Sequence, residues 1–238
     1  MIKVDNITKS YGKVNILNDM TTHFEPGCIT GLIGPSGAGK TTLIKCILGM
    51  EAIDSGNITI EDVDIPNRKI LRSIGYMAQS DALYEDLTAY ENMLFFGKLY
   101  ITKEQNLQTN IQRALEMVNL YNERKKKVSA FSGGMKRRLS LAISFIQNPK
   151  ILILDEPTVG IDPKLRKSIW NDLFEERNKG KTILVTTHVL DEADKCDRLL
   201  LMRDGNIISY GSPDEIKSSF KVNTIEEVFL ELGDGVDA

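Results

Sequence analysis

The sequence predicts an α/β domain with a parallel-sheet core, a small antiparallel β layer and an inserted α-helical subdomain. Three observations carry this. A glycine-rich loop, Gly34-Pro35-Ser36-Gly37-Ala38-Gly39-Lys40-Thr41, stands between the apolar run Ile29-Thr30-Gly31-Leu32-Ile33 and the helix formers at 43–48. A later apolar run at 151–154 is continuous rather than alternating, as in a strand covered on both faces, and 182–187 reads as the next buried strand. Between them and the loop, helix-start signals and helically spaced apolar residues mark residues 83–147 as mostly helical. The 238 residues are read as a single domain. Residues 1–82 and 148–211 form the core and antiparallel layer, and 212–238 form a short helical tail.

Taken in order, Ile2-Lys3-Val4-Asp5-Asn6-Ile7 alternates well enough for a half-buried strand. Tyr11-Gly12 and Pro26-Gly27 are turns, and the second delivers the chain into the strand before the glycine loop. After the loop helix, Asp54-Ser55-Gly56 turns into a short strand at 57–60, so the stretches 2–24 and 56–65 are expected to pair as the antiparallel layer. Ile74-Gly75-Tyr76-Met77-Ala78-Gln79 is a further strand with a polar end. Thr88-Ala89-Tyr90-Glu91 and Thr102-Lys103-Glu104-Gln105 both fit the capping box, and the second opens a helix with Leu107, Ile111, Ala114, Leu115 and Val118 on one face. The basic run Glu123-Arg124-Lys125-Lys126-Lys127 reads as a solvated connector rather than a phosphate contact. Ser132 is a natural N-cap for a helix facing inward through Leu139, Ala142, Ile143 and Ile146. Asp162-Pro163 opens a long helix that Gly180 stops, and Asp204-Gly205 joins two strands as a hairpin.

The totals exclude several classes. Hydrophobic content of 42% and charged content of 26% are those of a soluble globular protein, and the net charge of −3 argues against nucleic acid as a partner. The start Met1-Ile2-Lys3-Val4 does not read as a signal peptide. No apolar run approaches the ~18 residues that span a bilayer, so no direct membrane insertion is expected. Cys28, Cys46 and Cys196 are odd in number, far apart and without a C-x-x-C pair, which indicates small buried residues of a cytoplasmic protein.

The chemistry begins at the loop. It matches G-x-x-x-x-G-K-[ST], whose backbone N–H groups close around phosphate oxygens at a helix N-terminus. Lys40 then reaches the β- and γ-phosphates and the Thr41 hydroxyl sits on Mg²⁺, with Thr42 directly after. Ser132-Gly133-Gly134 makes a second helix N-terminus ready for an anion. Asp155 and Glu156 follow a central strand at the edge where ligands of open α/β sheets gather. Asp155 can hold Mg²⁺, and Glu156 can align or deprotonate a water. His188 ends the next core strand at the same edge and can donate to a γ-phosphate.

Together these residues resemble the ATP-binding subunits of ATP-binding-cassette (ABC) transporters, over nearly the whole chain and in the family's order. The matching motifs are the P-loop at 34–41, the glutamine loop at Gln79, the signature Phe131-Ser132-Gly133-Gly134-Met135, and the Walker B strand ending at Asp155 with Glu156 after it. The D-loop Val159-Gly160-Ile161-Asp162 and the switch residue His188 complete the set. Phe131 and Met135 depart from the family's commonest signature, Leu-Ser-Gly-Gly-Gln, and Met135 cannot offer an amide. The form Ser-Gly-Gly-Met-Lys-Arg-Arg, with Tyr84-Glu85-Asp86-Leu87-Thr88, is similar to the branch serving type-2 exporters.

The resemblance implies a P-loop NTPase fold with a RecA-like parallel-sheet core, and an ATPase that powers export through a polytopic membrane permease. It would sit peripherally on the cytoplasmic face of the cell membrane. Two cassettes, a second copy or a homologue, would face each other head to tail. ATP would lie between one P-loop and the other subunit's Ser132, Gly133, Gly134 and Met135. Tyr11 would stack on adenine, Glu156 would position water, Gln79 and His188 would sense the γ-phosphate, and Asp162 would sit at the dimer contact. Thr41, Gln79 and Asp155 would form the Mg²⁺ set. The rivals are a soluble ABC-type ATPase acting on ribosomes or DNA, and a P-loop kinase. The first would need a second cassette or long heptads, which are absent; the second leaves the Ser132 helix without a purpose.

Overall fold

Strict alternation along the first strand would turn Asn6 inward and Ile7 outward. In the computed structural model, which describes residues 1–101, 103–187 and 189–234, the opposite holds. In strand β1 (Ile2–Tyr11) the pairing register slips between Val4 and Ile7, Asn6 takes φ 47°, and Ile2, Val4 and Ile7 are all buried. A bulge with asparagine in the left-handed region corrects the phase of the apolar face. Strand β2 (Val14–Phe24) returns antiparallel to β1. Strand β3 (Cys28–Ile33), buried at every position, leads through the glycine loop into helix α1 (Lys40–Ile47). Strands β4 (Ser55–Ile60) and β5 (Val63–Asp64) complete an antiparallel sheet in the order β2-β1-β4-β5. Strand β6 (Ile74–Met77) follows.

Helices α2 (Ala89–Lys98), α3 (Glu104–Met117) and α4 (Gly133–Phe145) then precede strand β7 (Ile151–Asp155), helix α5 (Pro163–Asn178) and strand β8 (Thr182–Thr186). The short helix α6 (Leu190–Ala193), the hairpin of β9 (Arg198–Arg203) and β10 (Asn206–Gly211), and helices α7 (Pro213–Phe220) and α8 (Ile225–Asp234) close the chain. The tail therefore holds two helices where the sequence reading expects one. The signal for α7 is Ser212-Pro213-Asp214-Glu215, a capping box whose two reciprocal bonds are both made. The capping box expected at Thr102 lies outside the described residues, whereas that of Thr88 and Glu91 is complete.

The chain forms two compact units, Met1–Asn67 with Leu184–Ala238, and Arg68–Ile183. In the first, β9 runs parallel to β3, with Thr30 opposite Arg198 and Ile33 opposite Leu201. The β9–β10 turn takes φ 48° at Asp204 and 74° at Gly205, the left-handed pair that a two-residue hairpin requires. In the second, β6 and β7 are parallel from Ile74–Ile151 to Met77–Leu154. The helical part of this unit buries Met93, Leu107, Ile111, Leu115, Leu139 and Ala142, and burying each large apolar side chain stabilises it by about 1.5–3 kcal/mol. Ile143 is half-buried; Leu141 takes the inward position instead. The basic connector runs antiparallel to the start of α2, where the carbonyls of Lys126 and Arg124 accept from Ala89 and Tyr90 N–H, and its lysines are exposed.

One charged cluster ties α3, α5 and the approach to β8 together. The Glu176 carboxylate is 3% exposed and meets Arg113 at 2.5 Å, Lys179 at 2.8 Å, and Lys181. Burial works against its charge, but Lys179, Lys181 and Arg113 outweigh it and hold the carboxyl below its ordinary range. Because the folded-state value is depressed, this stabilisation is present above the unfolded value of a glutamate and is lost as pH falls through the folded one. Glu176→Gln is expected to destabilise the chain by about 3 kcal/mol, the low end for a broken buried pair because two of the three cations reach water. Urea denaturation at neutral pH measures this; an unchanged midpoint would remove Glu176 from the account of the fold.

Candidate functional site

The buried strand β3 stops at Ile33, and the next six residues cannot continue a ladder. Gly34 is buried: a Cβ there would stand 2.1 Å from the Met202 carbonyl oxygen, so only glycine lets the loop leave the sheet. Pro35, Ser36 and Gly37 form an exposed crest, and Ala38 N–H returns to the Pro35 carbonyl at 3.2 Å. Gly39 precedes the first turn of α1 with φ 100°, a backbone state that other residues rarely reach. Lys40 is 8% exposed, and its ammonium donates to the carbonyls of Gly34 at 2.6 Å and Pro35 at 2.9 Å. The cation is thus held inside the loop, beside first-turn N–H groups, including those of Thr41 and Thr42, that have no carbonyl inside the helix to bond. A ring of N–H donors around a fixed ammonium, with an exposed rim, suits a phosphate chain.

Tyr11 ends β1, 45% exposed, in the same unit. Lys9 Nζ lies 5.1 Å from its ring centroid and 4.0 Å from the Glu51 carboxylate. Desolvation, and then the Glu51 carboxylate, raise the Tyr11 phenol above its ordinary value, so the ring stays neutral. A neutral aromatic ring with solvent access can stack on a planar base. His188 lies outside the described residues. In the same unit, Thr187 donates through its hydroxyl to Glu192 at 2.7 Å and accepts from Val189 N–H at 3.0 Å.

The second unit carries the carboxylates and the other glycine-led helix. Asp155 is the last residue of β7 and 3% exposed; Glu156 follows with φ 54°. Gln79 is exposed just past β6. Burial, and then the charge of Asp155, raise the phenol of Tyr76 on β6. Ser132 caps α4 by accepting from Met135 N–H at 3.3 Å, and Ser132 and Gly133 are exposed at the helix tip. Asp162 caps α5 by accepting from Leu165 N–H at 3.0 Å, with Pro163 at the first helical position. Among the described residues no three His, Cys, Asp or Glu side chains gather to hold a metal by themselves. Thr41 in the first unit, and Gln79 and Asp155 in the second, each offer hard oxygen, the donor type that Mg²⁺ takes.

Sequence reasoning passed over one residue. Arg137, quoted there only within the signature form Ser-Gly-Gly-Met-Lys-Arg-Arg, is 7% exposed and turned inward. Its Nη1 donates to the carbonyls of Ala78 at 2.9 Å and Gln79 at 2.8 Å, and to the Asp81 carboxylate at 3.4 Å. Its Nη2 donates to the Glu156 carbonyl at 2.8 Å and to that of Asp155, and Nε reaches the Glu156 carbonyl at 3.3 Å. The available signal was periodic. Arg137, Leu141 and Ser144 stand at i, i+4 and i+7, and all three are buried.

An α/β chain with a phosphate-ready glycine loop, a strand-end carboxylate pair and a second glycine-led helix has the parts of a P-loop nucleotide hydrolase. Residues 17–159 match the family model described as "ABC transporter". The chain is 42% identical to the Nod factor export ATP-binding protein I of Rhizobium meliloti (strain 1021), over 89% of this chain and 64% of that protein's length. It is 38% identical to the linearmycin resistance ATP-binding protein LnrL of Bacillus subtilis (strain 168), over 94% of this chain and 73% of that protein. It superposes with TM-score 0.83 and 26% identity on an ATP-binding cassette solved as a dimer in a post-hydrolysis state bound to ADP and Pi, covering 89% of this chain and 98% of that one. This chain belongs to the ABC transporter family and has the α/β P-loop fold of its ATP-binding cassettes.

The loop geometry yields a direct test. Gly34→Ala puts a methyl group onto the Met202 carbonyl and should destabilise the fold by about 2 kcal/mol or more, as overpacking at backbone does. A thermal melt equal to that of the parent chain would contradict the tight exit from β3.

Proposed function

We propose that the chain binds and hydrolyses ATP, and that two copies do so jointly to power export through a polytopic membrane permease. The observation that carries this reading is that one chain holds both halves of a composite site, each open to solvent. One half is the loop around Lys40; the other is the helix tip at Ser132 and Gly133. Two copies arranged head to tail complete two sites with nothing added but ATP and Mg²⁺.

Each residue then has a task. Loop N–H groups and Lys40 neutralise the β- and γ-phosphates, and Tyr11 stacks on adenine. Ser132, Gly133 and Gly134 of the other copy, at the positive end of α4, close on the γ-phosphate. Met135 brings a thioether in place of a side-chain amide, and Asp162 sits at the contact between copies. Glu156 accepts a proton from the water that attacks the γ-phosphorus as the bond to the bridging oxygen breaks. Gln79 and His188 have the role of sensing the γ-phosphate. Thr41, Gln79 and Asp155 would hold Mg²⁺, whose chemistry is to neutralise charge on the phosphate oxygens. Once phosphate leaves, the shared anion is gone and the copies separate.

Export is supported by the two relatives, one a Nod factor export protein and one a linearmycin resistance protein. For the permease contact the chain offers an exposed aromatic surface: Tyr84 and Phe95 stack edge to face at 4.8 Å, with Leu99 exposed nearby on the same helix. No helix among the described residues is long and apolar enough to cross a membrane. The permease would therefore hold the cassette peripherally at the cytoplasmic face of the cell membrane.

Glu156→Gln should retain ATP binding, lose turnover by about 10²- to 10⁴-fold, and elute from gel filtration as an ATP-dependent dimer. Turnover near that of the parent chain removes Glu156 from its role. Ser132→Arg should block ATP-driven dimerisation and leave nucleotide binding by the monomer intact. An equal loss of monomer binding would place Ser132 in its own chain's site instead.

A further inference from the structure

Arg137 has no task in the hydrolysis scheme, yet it is the point where three of that scheme's segments meet. Its carbonyl partners lie at the ends of two strands: Asp155 is the last residue of β7 and Glu156 follows it, and Ala78 and Gln79 follow β6. One planar guanidinium with five donors spans both strand ends; an ammonium, as a point donor, cannot. Glu156 is a non-glycine residue in the left-handed region, a backbone state that persists only where neighbouring structure holds it. Two of the Arg137 bonds fall on the Glu156 carbonyl. Arg137 also stands five residues beyond Ser132 in the same 13-residue helix. The first turn of that helix is close to the D-loop: a Cβ on Gly134 would lie 3.0 Å from the Gly160 carbonyl oxygen. A helix of this length moves as a unit, so a tilt at its tip is a displacement at its second turn.

We propose that Arg137 is a positioning residue that couples the signature helix to Gln79 and Glu156 of the same chain, so that gripping the partner's nucleotide sets the geometry of this chain's own hydrolysis site. This rests on the two-copy reading given above and extends it. Because the two copies are identical, each acts on the other in the same way, so ATP hydrolysis by the full chain is cooperative.

The test compares Arg137→Lys with the parent chain for monomer nucleotide affinity, kcat, KM, Hill coefficient and melting temperature. Lysine keeps the charge and loses the fork. Expected are unchanged monomer affinity, KM within about twofold, a kcat lowered roughly 10- to 100-fold, the cost of slight misplacement, and a Hill coefficient brought from above 1 to about 1. A loss of kcat with cooperativity retained, or no loss at all, overturns the proposal. If Arg137→Lys does not fold, Arg137→Gln, whose neutral amide still donates two bonds, carries the same comparison. Failure of both to fold makes Arg137 a residue of the fold alone and also overturns the proposal. Parent chain and Glu156→Gln measured alongside separate this from the function itself: if the first hydrolyses ATP and the second does not, the two-copy ATPase stands whatever Arg137 does.

Discussion

A buried parallel strand satisfies its backbone only along its length, and where it stops its polar groups must find other partners. The strand and helix ends of this chain are where its candidate chemistry sits. Past β3 the loop turns its N–H groups outward around the Lys40 ammonium, leaving donors for an anion. Past β6 and β7 the exposed groups are carbonyls, and the Arg137 guanidinium collects them. One strand end is thus left open for a ligand and two are closed by a side chain. That difference separates a binding loop from a pair of loops held ready to respond to binding.

The same constraint explains which residue types stand at these points. Gly34 is required because the loop leaves the sheet against the Met202 carbonyl, and Gly39 because the first turn of α1 is entered at positive φ. Glu156 occupies a comparable backbone state with a full side chain, which glycine could not supply to the chemistry, and the Arg137 bonds at its carbonyl hold it there. At the other glycine-led helix Ser132 satisfies one N–H and leaves the tip exposed. Capping and ligand binding draw on the same unpaired donors.

Much of this was legible in the sequence wherever the signal is local. The P-loop spacing, the Thr88–Glu91 capping box, Asp162-Pro163 and Asp204-Gly205 each specify a backbone state within two to eight residues, and each stands where the sequence placed it. The bulge at Asn6 was not legible, because alternation gives a strand its period but not its slips. Helix α7 was missed although Ser212 and Glu215 mark it, because the apolar face behind the cap is short. Arg137 and Glu176 were missed for a different reason. A charged residue looks solvated in sequence, and only the fold brings carbonyls from residues 78 and 156, or cations from residues 113 and 181, to meet it.

The central claim is that the loop of one copy and the helix tip of another make one site. A mixing experiment tests it most directly. Lys40→Met removes the loop cation and Ser132→Arg blocks the helix tip, so neither variant alone retains a complete site. A mixed dimer keeps one, from the intact loop of the Ser132→Arg chain and the intact helix of the Lys40→Met chain. The account predicts ATP hydrolysis in the mixture that neither variant supports by itself, greatest near equal amounts and below the parent rate, because the intact site belongs to the chain whose own helix tip is blocked. Mixtures that stay inactive at every ratio, although each variant is folded and mixed dimers form, would contradict it.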